Sequence, residues 1–226
     1  APGSAGAVPF SYSGPGQTAY APSEGKPANA GTYQVVALLA ADANHEGAVS
    51  APLAFAIGKV ALTVTPDPGQ SKTFGEDDPV FTYTHTGEVG GETPEFTGTL
   101  SRDPGDDAGE YEILVGTLAL ADNGAFLAAN YTLQFTPGVV FTIGKAASTV
   151  AATGGTAYTY TGEPQGPDGA DTTGSTGTVT YSYNGTGDTV YGPSADKPAN
   201  AGTYQVVASL AADANHEGAV SAPLAF

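Results

Sequence analysis

The chain has no cysteine. No disulfide can brace it, and no thiolate can serve as nucleophile or metal ligand. Basic residues are nearly as scarce: six Lys and Arg stand against 23 Asp and Glu, a formal net charge of −17 at neutral pH. A chain this acidic cannot present the basic patches that nucleic acid requires, and anionic membrane surfaces repel it. No apolar run approaches the roughly 18 residues of a membrane span, so direct membrane insertion is not expected. No stretch sustains a 3.6-residue apolar period, and the spacing of Gly and Pro would break most helices. Histidine occurs three times, as His45, His85 and His216, and no Ser–His–acid or Cys–His set can be assembled around them. The sequence therefore predicts no enzyme and no catalytic residue.

What is present is repetition, which has to be read before any local motif. PANAGTYQVVASLAADANHEGAVSAPLAF at Pro198–Phe226 recurs at Pro27–Phe55 with one change, Leu38 against Ser209. The offset of 171 residues also aligns SYSGPGQTAYAPS (Ser11–Ser23) with SYNGTGDTVYGPS (Ser182–Ser194). A second punctuation divides that period. FAIGK ends at Lys59 and FTIGK at Lys145, so two module types alternate as A–B–A. The expected boundaries are 1–58 for a partial type-A repeat lacking its N-terminal strands, 59–145 for a type-B repeat, and 146–226 for a nearly complete type-A repeat. The first module lacks a counterpart of about 146–171, so the chain reads as a window on a longer array. The missing strands are then expected either to precede Ala1 on the same polypeptide or to be donated by a neighbouring subunit, the first being favoured because the repeat phase runs unbroken.

Short β-branched and aromatic runs between turn residues predict strands throughout. In type A these are STVAAT, AYTYTG, TVTYSYNG, DTVYGPS, the long AGTYQVVASLAAD, and AVSAPLAF after the DANHEG turn. EPQGPDGADTTGSTG reads as a loop. In type B they are VALTVTPD, VFTYTHTG, FTGTLSRD, EYEILVGTLAL, and the two halves of NYTLQFTPGVVFTIGK split by Pro137-Gly138, with KTFGEDDP and GEVGGETPE as links. Period-2 alternation puts Tyr204, Val206, Ala208 and Leu210 on one face, with Ser209 and its counterpart Leu38 on the other. Tyr33, Val35, Tyr111 and Ile113 are expected in module cores. This is the pattern of small immunoglobulin-like sandwiches arranged end to end. A β-grasp-like module is the alternative, and it would need a helix that the sequence does not offer. Ala-Gly-Thr-Tyr at Tyr33 and Tyr204, and Ala-Gly-Glu-Tyr at Tyr111, each precede a long strand. They suggest a corner in which the tyrosine hydroxyl returns to upstream backbone.

LTVTPDPGQSKTFGEDDPVFTYTHTG, TGTLSRDPGDDAGEYEI, NYTLQFTPG and FTIGK resemble the MBG-type (YGX/YDG-like) tandem repeats of large bacterial adhesin-like surface proteins. YTYTGEPQ, TVTYSYNG and PANAGTYQVVASLAADANHEG resemble a sister type of the same repeats. The resemblance covers nearly the whole chain. It implies β-rich structural modules in a secreted or cell-surface protein, forming the stalk or filament of an adhesin-like fibre, with neighbouring repeats or copies of itself as partners. It carries no catalytic residues. It also leads one to expect an aromatic such as Tyr at the positions of His45 and His216. Ligand binding, of a carbohydrate or a protein, is the competing function, through tyrosine-rich loops such as YSYNGTGDTVY.

The remaining chemistry is acidic. Glu76-Asp77-Asp78 and the run Asp103, Asp106, Asp107, Glu110 offer oxygen ligands of the kind calcium takes, with Asp77, Asp78, Asp106 and Asp107 as the calcium candidates. Neither run has EF-hand spacing, and acids in turns are commonly just solvated. Asp213, Asn215 and Glu217 in DANHEG read more simply as an Asx-type turn. Lys26, Lys197, Lys59 and Lys145 sit in turns or at junctions, a poor setting for an isopeptide cross-link. Asn130 and Asn184 head N-x-T triplets.

Overall fold

The fold is seen in a computed structural model that describes residues 6–226. Strand accounts for 42% of the chain and helix for 1%, so the β-grasp alternative has no helix to build on among the described residues. The strands are β1 (Phe10–Ser13), β2 (Gly31–Leu39), β3 (Ala48–Val49), β4 (Leu53–Ile57), β5 (Val60–Pro66), β6 (Ser71–Thr73) and β7 (Tyr83–Thr86). There follow β8 (Glu95–Thr97), β9 (Ser101–Arg102), β10 (Gly109–Leu114), β11 (Ala119–Ala121), β12 (Tyr131–Phe135) and β13 (Val140–Gly144). The rest are β14 (Thr149–Thr153), β15 (Gly169–Thr173), β16 (Val179–Gly185), β17 (Tyr204–Leu210), β18 (Ala219–Val220) and β19 (Leu224–Ala225). One 3-10 turn, Ala128–Asn130, precedes β12.

The chain divides into two compact units, and the division runs through the strands of the middle repeat. Unit one comprises Ala1–Asp67, Thr82–Ser101 and Val115–Pro137; unit two comprises Pro68–Phe81, Arg102–Leu114 and Gly138–Phe226.

In unit one, β2 carries β1 along one edge and β3 and β4 along the other, all antiparallel. A second sheet runs β12-β5-β7, with β12 parallel to β5 over Tyr131↔Val60 to Phe135↔Val64. Its buried Leu62 and Tyr131 pack with Phe126 against Phe96 and Leu120 of the β8–β11 pair. Two layers thus close on one core, which is the sandwich arrangement. FTGTLSRD and EYEILVGTLAL are each broken into two short strands where the sequence suggested one. The breaks fall at Gly98 and Gly116, both at positive φ. Each lies hard against the other's strand: a Cβ on Gly98 would stand 2.1 Å from the Thr117 carbonyl oxygen, and one on Gly116 2.5 Å from that of Thr99. Only glycine fits both demands.

In unit two, β6-β13-β10-β9 form one sheet, with β13 parallel to β6 and antiparallel to β10. Ile113, Phe141 and Ile143 are its buried residues, and Phe81 meets Phe141 edge-on. The β14–β15 ribbon covers β16-β17-β18, enclosing Val150, Ala208 and Leu210. β17 alternates as expected: Tyr204, Val206, Ala208 and Leu210 are buried and the residues between them half-buried. Ser209 and Leu38 lie on the outer face, flanked by Val220 and Val49 on the paired strands. Tyr33 and Ile113 are buried, while Val35 and Tyr111 are only half-buried.

Four local expectations fail. EPQGPDGADTTGSTG contains β15, because its Gly-Ala-Asp-Thr-Thr segment finds STVAAT as an antiparallel partner. AYTYTG is not a strand: among the described residues it has no ladder partner, and Tyr158 and Tyr160 stand 44% and 66% exposed. DTVYGPS contributes only an isolated bridge, Tyr183↔Ser194. β6 also appears inside the stretch read as a link, held parallel to β13.

Candidate functional site

The three tyrosine corners form as expected. Tyr33 Oη donates to the Asn29 carbonyl at 2.7 Å, Tyr111 to that of Asp107 at 2.7 Å, and Tyr204 to that of Asn200 at 2.8 Å. Each bond spans four residues back, so each pins an Asn/Asp-Ala-Gly-x-Tyr loop against its strand. The loop is thereby held with the side chain of its Asn or Asp and the amide of the following alanine free to bond elsewhere.

Two of these corners are gripped by an asparagine from the neighbouring repeat. In unit one, the Ala30 N–H donates to Asn130 Oδ1 at 2.8 Å, and Asn130 Nδ2 donates to Asn29 Oδ1 at 3.1 Å. In unit two, the Ala108 N–H donates to Asn215 Oδ1 at 2.8 Å, and Asn215 Nδ2 donates to Asp107 Oδ1 at 2.9 Å. One primary amide thus satisfies a backbone donor and a side-chain acceptor together, a use its paired oxygen and NH₂ allow. Asn130 is aimed by the 3-10 turn, whose Ala128 N–H donates to Asp122 Oδ1. Its N-x-T triplet therefore sits in a structural contact, not on a free loop.

Asn215 is aimed by the DANHEG turn, which is the Asx turn the sequence suggested. Asp213 Oδ1 accepts the N–H groups of Asn215 at 2.9 Å and His216 at 2.8 Å, and its Oδ2 accepts that of Thr176 at 2.8 Å. These donors, Thr176 foremost, hold the Asp213 carboxyl well below the usual carboxylate range against the opposing effect of burial. Around the clamp the contact widens. The His216 ring meets Phe74 edge-on with centroids 5.3 Å apart. Lys145 Nζ donates to the Asp213 carbonyl, and the Ala146 and Glu217 N–H groups complete a short ladder with Asn215 and Ala146. His216 thus packs as the aromatic expected there would do; among the described residues His45 has no such ring contact, and its Nδ1 lies 3.0 Å from Asp42 Oδ1.

The calcium candidates are divided among other contacts. Asp78 lies between Lys72 Nζ at 2.7 Å and the Arg102 guanidinium at 2.7 and 3.0 Å. Its carboxyl is held low, chiefly by Arg102. Arg102 itself is largely covered, stacking over Tyr111 and donating to the Asp103 and Gly105 carbonyls. Asp106 is 96% exposed and reaches Arg102 only at 3.8 Å, Asp107 serves the Asn215 clamp, and Asp77 is exposed. Among the described residues no group of three or more acids or histidines is placed to hold a metal. His85 is half-buried against Phe96, and among the described residues its Nδ1 lacks a hydrogen-bond partner; Glu88 stands 3.6 Å away, beyond bonding distance.

Sequence reading named Asn130 and Asn215 but missed the corners they grip. The available signal was the first residue of each corner: it is Asn, Asp and Asn in the three copies, which marks an acceptor awaiting an amide.

The described residues form all-β modules with tyrosine corners. A family model described as MBG domain (YGX type) matches residues 62–142, and one described as MBG domain matches 4–60 and 145–226. The chain belongs to the MBG domain family, whose members are found in bacterial surface and adhesin-like proteins. No curated protein and no solved structure matches it.

Proposed function

We propose that the chain is a load-bearing structural array of an extracellular bacterial surface protein, a stalk or filament segment of an adhesin-like fibre, with no catalytic role and junctions near Lys59 and Lys145. One observation carries this reading: two parallel pairs, each joining an early strand of the middle repeat to a late one. β5 lies parallel to β12, and β6 lies parallel to β13. Within each pair the two strands point the same way, so a pull on the early strand from its start and on the late strand from its end slides one past the other. Every ladder bond then shares the load, whereas a hairpin pulled at its open end loses its bonds one at a time. The asparagine clamps add neighbour contacts of the kind that set stiffness in repeat proteins, and the strong negative charge keeps such an array soluble.

Ligand binding has one observation in its favour, a pocket of about 190 Å³ in unit two lined by Tyr158, Tyr160, Gln165 and Tyr204. An antibody against the chain is expected to label intact source cells. Labelling that appears only after permeabilisation would contradict the surface assignment. A glycan array probed with the whole chain is expected to stay blank; saturable binding lost on Tyr160→Ala would favour the second reading.

A further inference from the structure

Among the described residues, His85 Nδ1 is the buried side-chain polar atom left without a hydrogen-bond partner. Such an atom costs free energy, and most proteins satisfy it. His85 lies in β7, the edge of the β12-β5-β7 sheet, opposite Val64 of β5. Tyr83 and His85 share the inward side of that strand, and both rings meet Phe96 of β8 with centroids 5.4 Å apart. What stands beside Nδ1 is a carboxylate, Glu88 Oε2 at 3.6 Å, too far for a bond.

That carboxylate belongs to the loop 87–94, which joins β7 to β8 and is tied at two other points. The Val89 N–H donates to Tyr131 Oη at 3.1 Å, and Tyr131 Oη donates in turn to Glu92 Oε2 at 2.6 Å. The loop closes on itself where the Glu92 N–H donates to the Val89 carbonyl at 3.1 Å. Other ionisable groups around the ring are few. β5 from Val60 to Pro66 and β11 from Ala119 to Ala121 carry none, and Lys59 and Asp67 lie beyond the two ends of β5. β7 carries Tyr83 and β12 carries Tyr131. β8 carries Glu95, which is exposed and alternates with the inward Phe96. Glu92 is engaged by Tyr131, which leaves Glu88 as the carboxylate beside Nδ1.

We propose that His85 and Glu88 form a proton-operated latch: when His85 takes up a proton, the Glu88 carboxylate closes onto Nδ1 and ties the loop to the sheet edge. Histidine is the side chain whose ordinary range puts a charge change between pH 5 and 8. An imidazolium carries an N–H on both ring nitrogens, so the unbonded Nδ1 becomes a charged donor facing a carboxylate. The gap then has to shorten from 3.6 Å to the roughly 2.7–2.9 Å of a charge-assisted bond. Glu88 has the freedom to make that move, because its side chain is 38% exposed. The bond exists only with the proton bound, so it is present at mildly acid pH and is lost as pH rises. Glu88 immediately precedes Val89, and closing the latch also holds the Val89 N–H on Tyr131. All of these residues belong to unit one and to the middle repeat, so the latch needs no neighbouring chain.

The test is hydrogen exchange of the Val89 amide in the full chain, read by NMR as protection relative to an unstructured amide at each pH. A window from about pH 7.5 to about pH 5.5 spans the charge change of histidine and stays above the ordinary carboxylate range. In the wild type, protection is expected to rise about threefold to fivefold as pH falls, the range that a part-exposed ion pair supports. Glu88→Gln keeps the shape of the side chain and removes its charge; His85→Phe keeps a ring against Phe96. Each is expected to leave Val89 protection flat across the window. His45 and His216 are intact in both variants, so a response owed to either of them would persist. A flat wild-type profile overturns the proposal, as does a pH response retained in Glu88→Gln. Glu88→Gln decides by itself if His85→Phe disturbs the core.

Discussion

Asn215→Ala removes the clamp of unit two and little else. The Asx turn survives, because Asp213 accepts the backbone N–H of residue 215, and the Asn215 carbonyl still accepts from Ala146. What is lost is one half-buried bond from Ala108 and one exposed, charge-assisted bond to Asp107. A buried neutral hydrogen bond contributes about 0.5–1.5 kcal/mol net, and the exposed one is screened to roughly the 0–1 kcal/mol of a surface ion pair. The expected loss is about 1–2 kcal/mol. Urea titration followed through the amide signals of β10 and β17 reads it, because these strands report unit two alone. Asn215→Asp should cost more than alanine, since its carboxylate would face that of Asp107. Asp107→Asn should recover most of that difference, and by itself should change stability by less than about 0.5 kcal/mol, because Asn29 already fills the same position in unit one. A midpoint unmoved by Asn215→Ala, or Asp and Ala variants of equal stability, would refute the clamp as an energetic contact.

Other outcomes follow from the same structure. Tyr204→Phe keeps the ring stacked 5.6 Å from Phe226 but loses the corner bond, and is expected to cost about 1 kcal/mol in unit two's urea midpoint. Ile113→Ala empties a fully buried position and should cost about 2–5 kcal/mol; a loss under 1 would mean β10 does not carry the core. Because the folded Asp213 carboxyl is held below its unfolded value of about 4, its contribution is present above that pH and is lost as pH falls toward the folded value. Asp213→Asn should therefore flatten part of the acid destabilisation of unit two, and an unchanged acid profile would contradict this. Millimolar calcium is expected to leave the Tm unmoved, with Asp78 committed to Lys72 and Arg102; a rise of several degrees would reopen the acidic loops as a site.

The β-rich class, the long strand register and the tyrosine corners were legible because each depends on short-range pattern. Alternation in YQVVASL fixed which side of β17 faces inward, and Ala-Gly-x-Tyr marked the corners. The failures share a cause, since they concern pairing partners distant in sequence. GADTT becomes β15 only because STVAAT lies beside it, and AYTYTG remains coil for want of such a neighbour despite its strand-like residues. The clamps were illegible for the same reason. Asn130 meets Asn29 across 101 residues and Asn215 meets Asp107 across 108, so no local window contains either pair.

The load-bearing role is tested most directly by pulling single molecules of the chain from their two ends. Freeing Val60–Gly144, which is 85 residues, should lengthen the tether by about 280–300 Å less the folded span, at roughly 3.3–3.6 Å per residue. A discrete rupture of that size is expected. Its force should exceed that seen when the same chain, which has no native cysteine to compete, is pulled through cysteines placed at Glu95 and Ala121, the outer end of the antiparallel β8–β11 pair. Smooth extension without a discrete event, or equal forces in the two geometries, would contradict a role in bearing load.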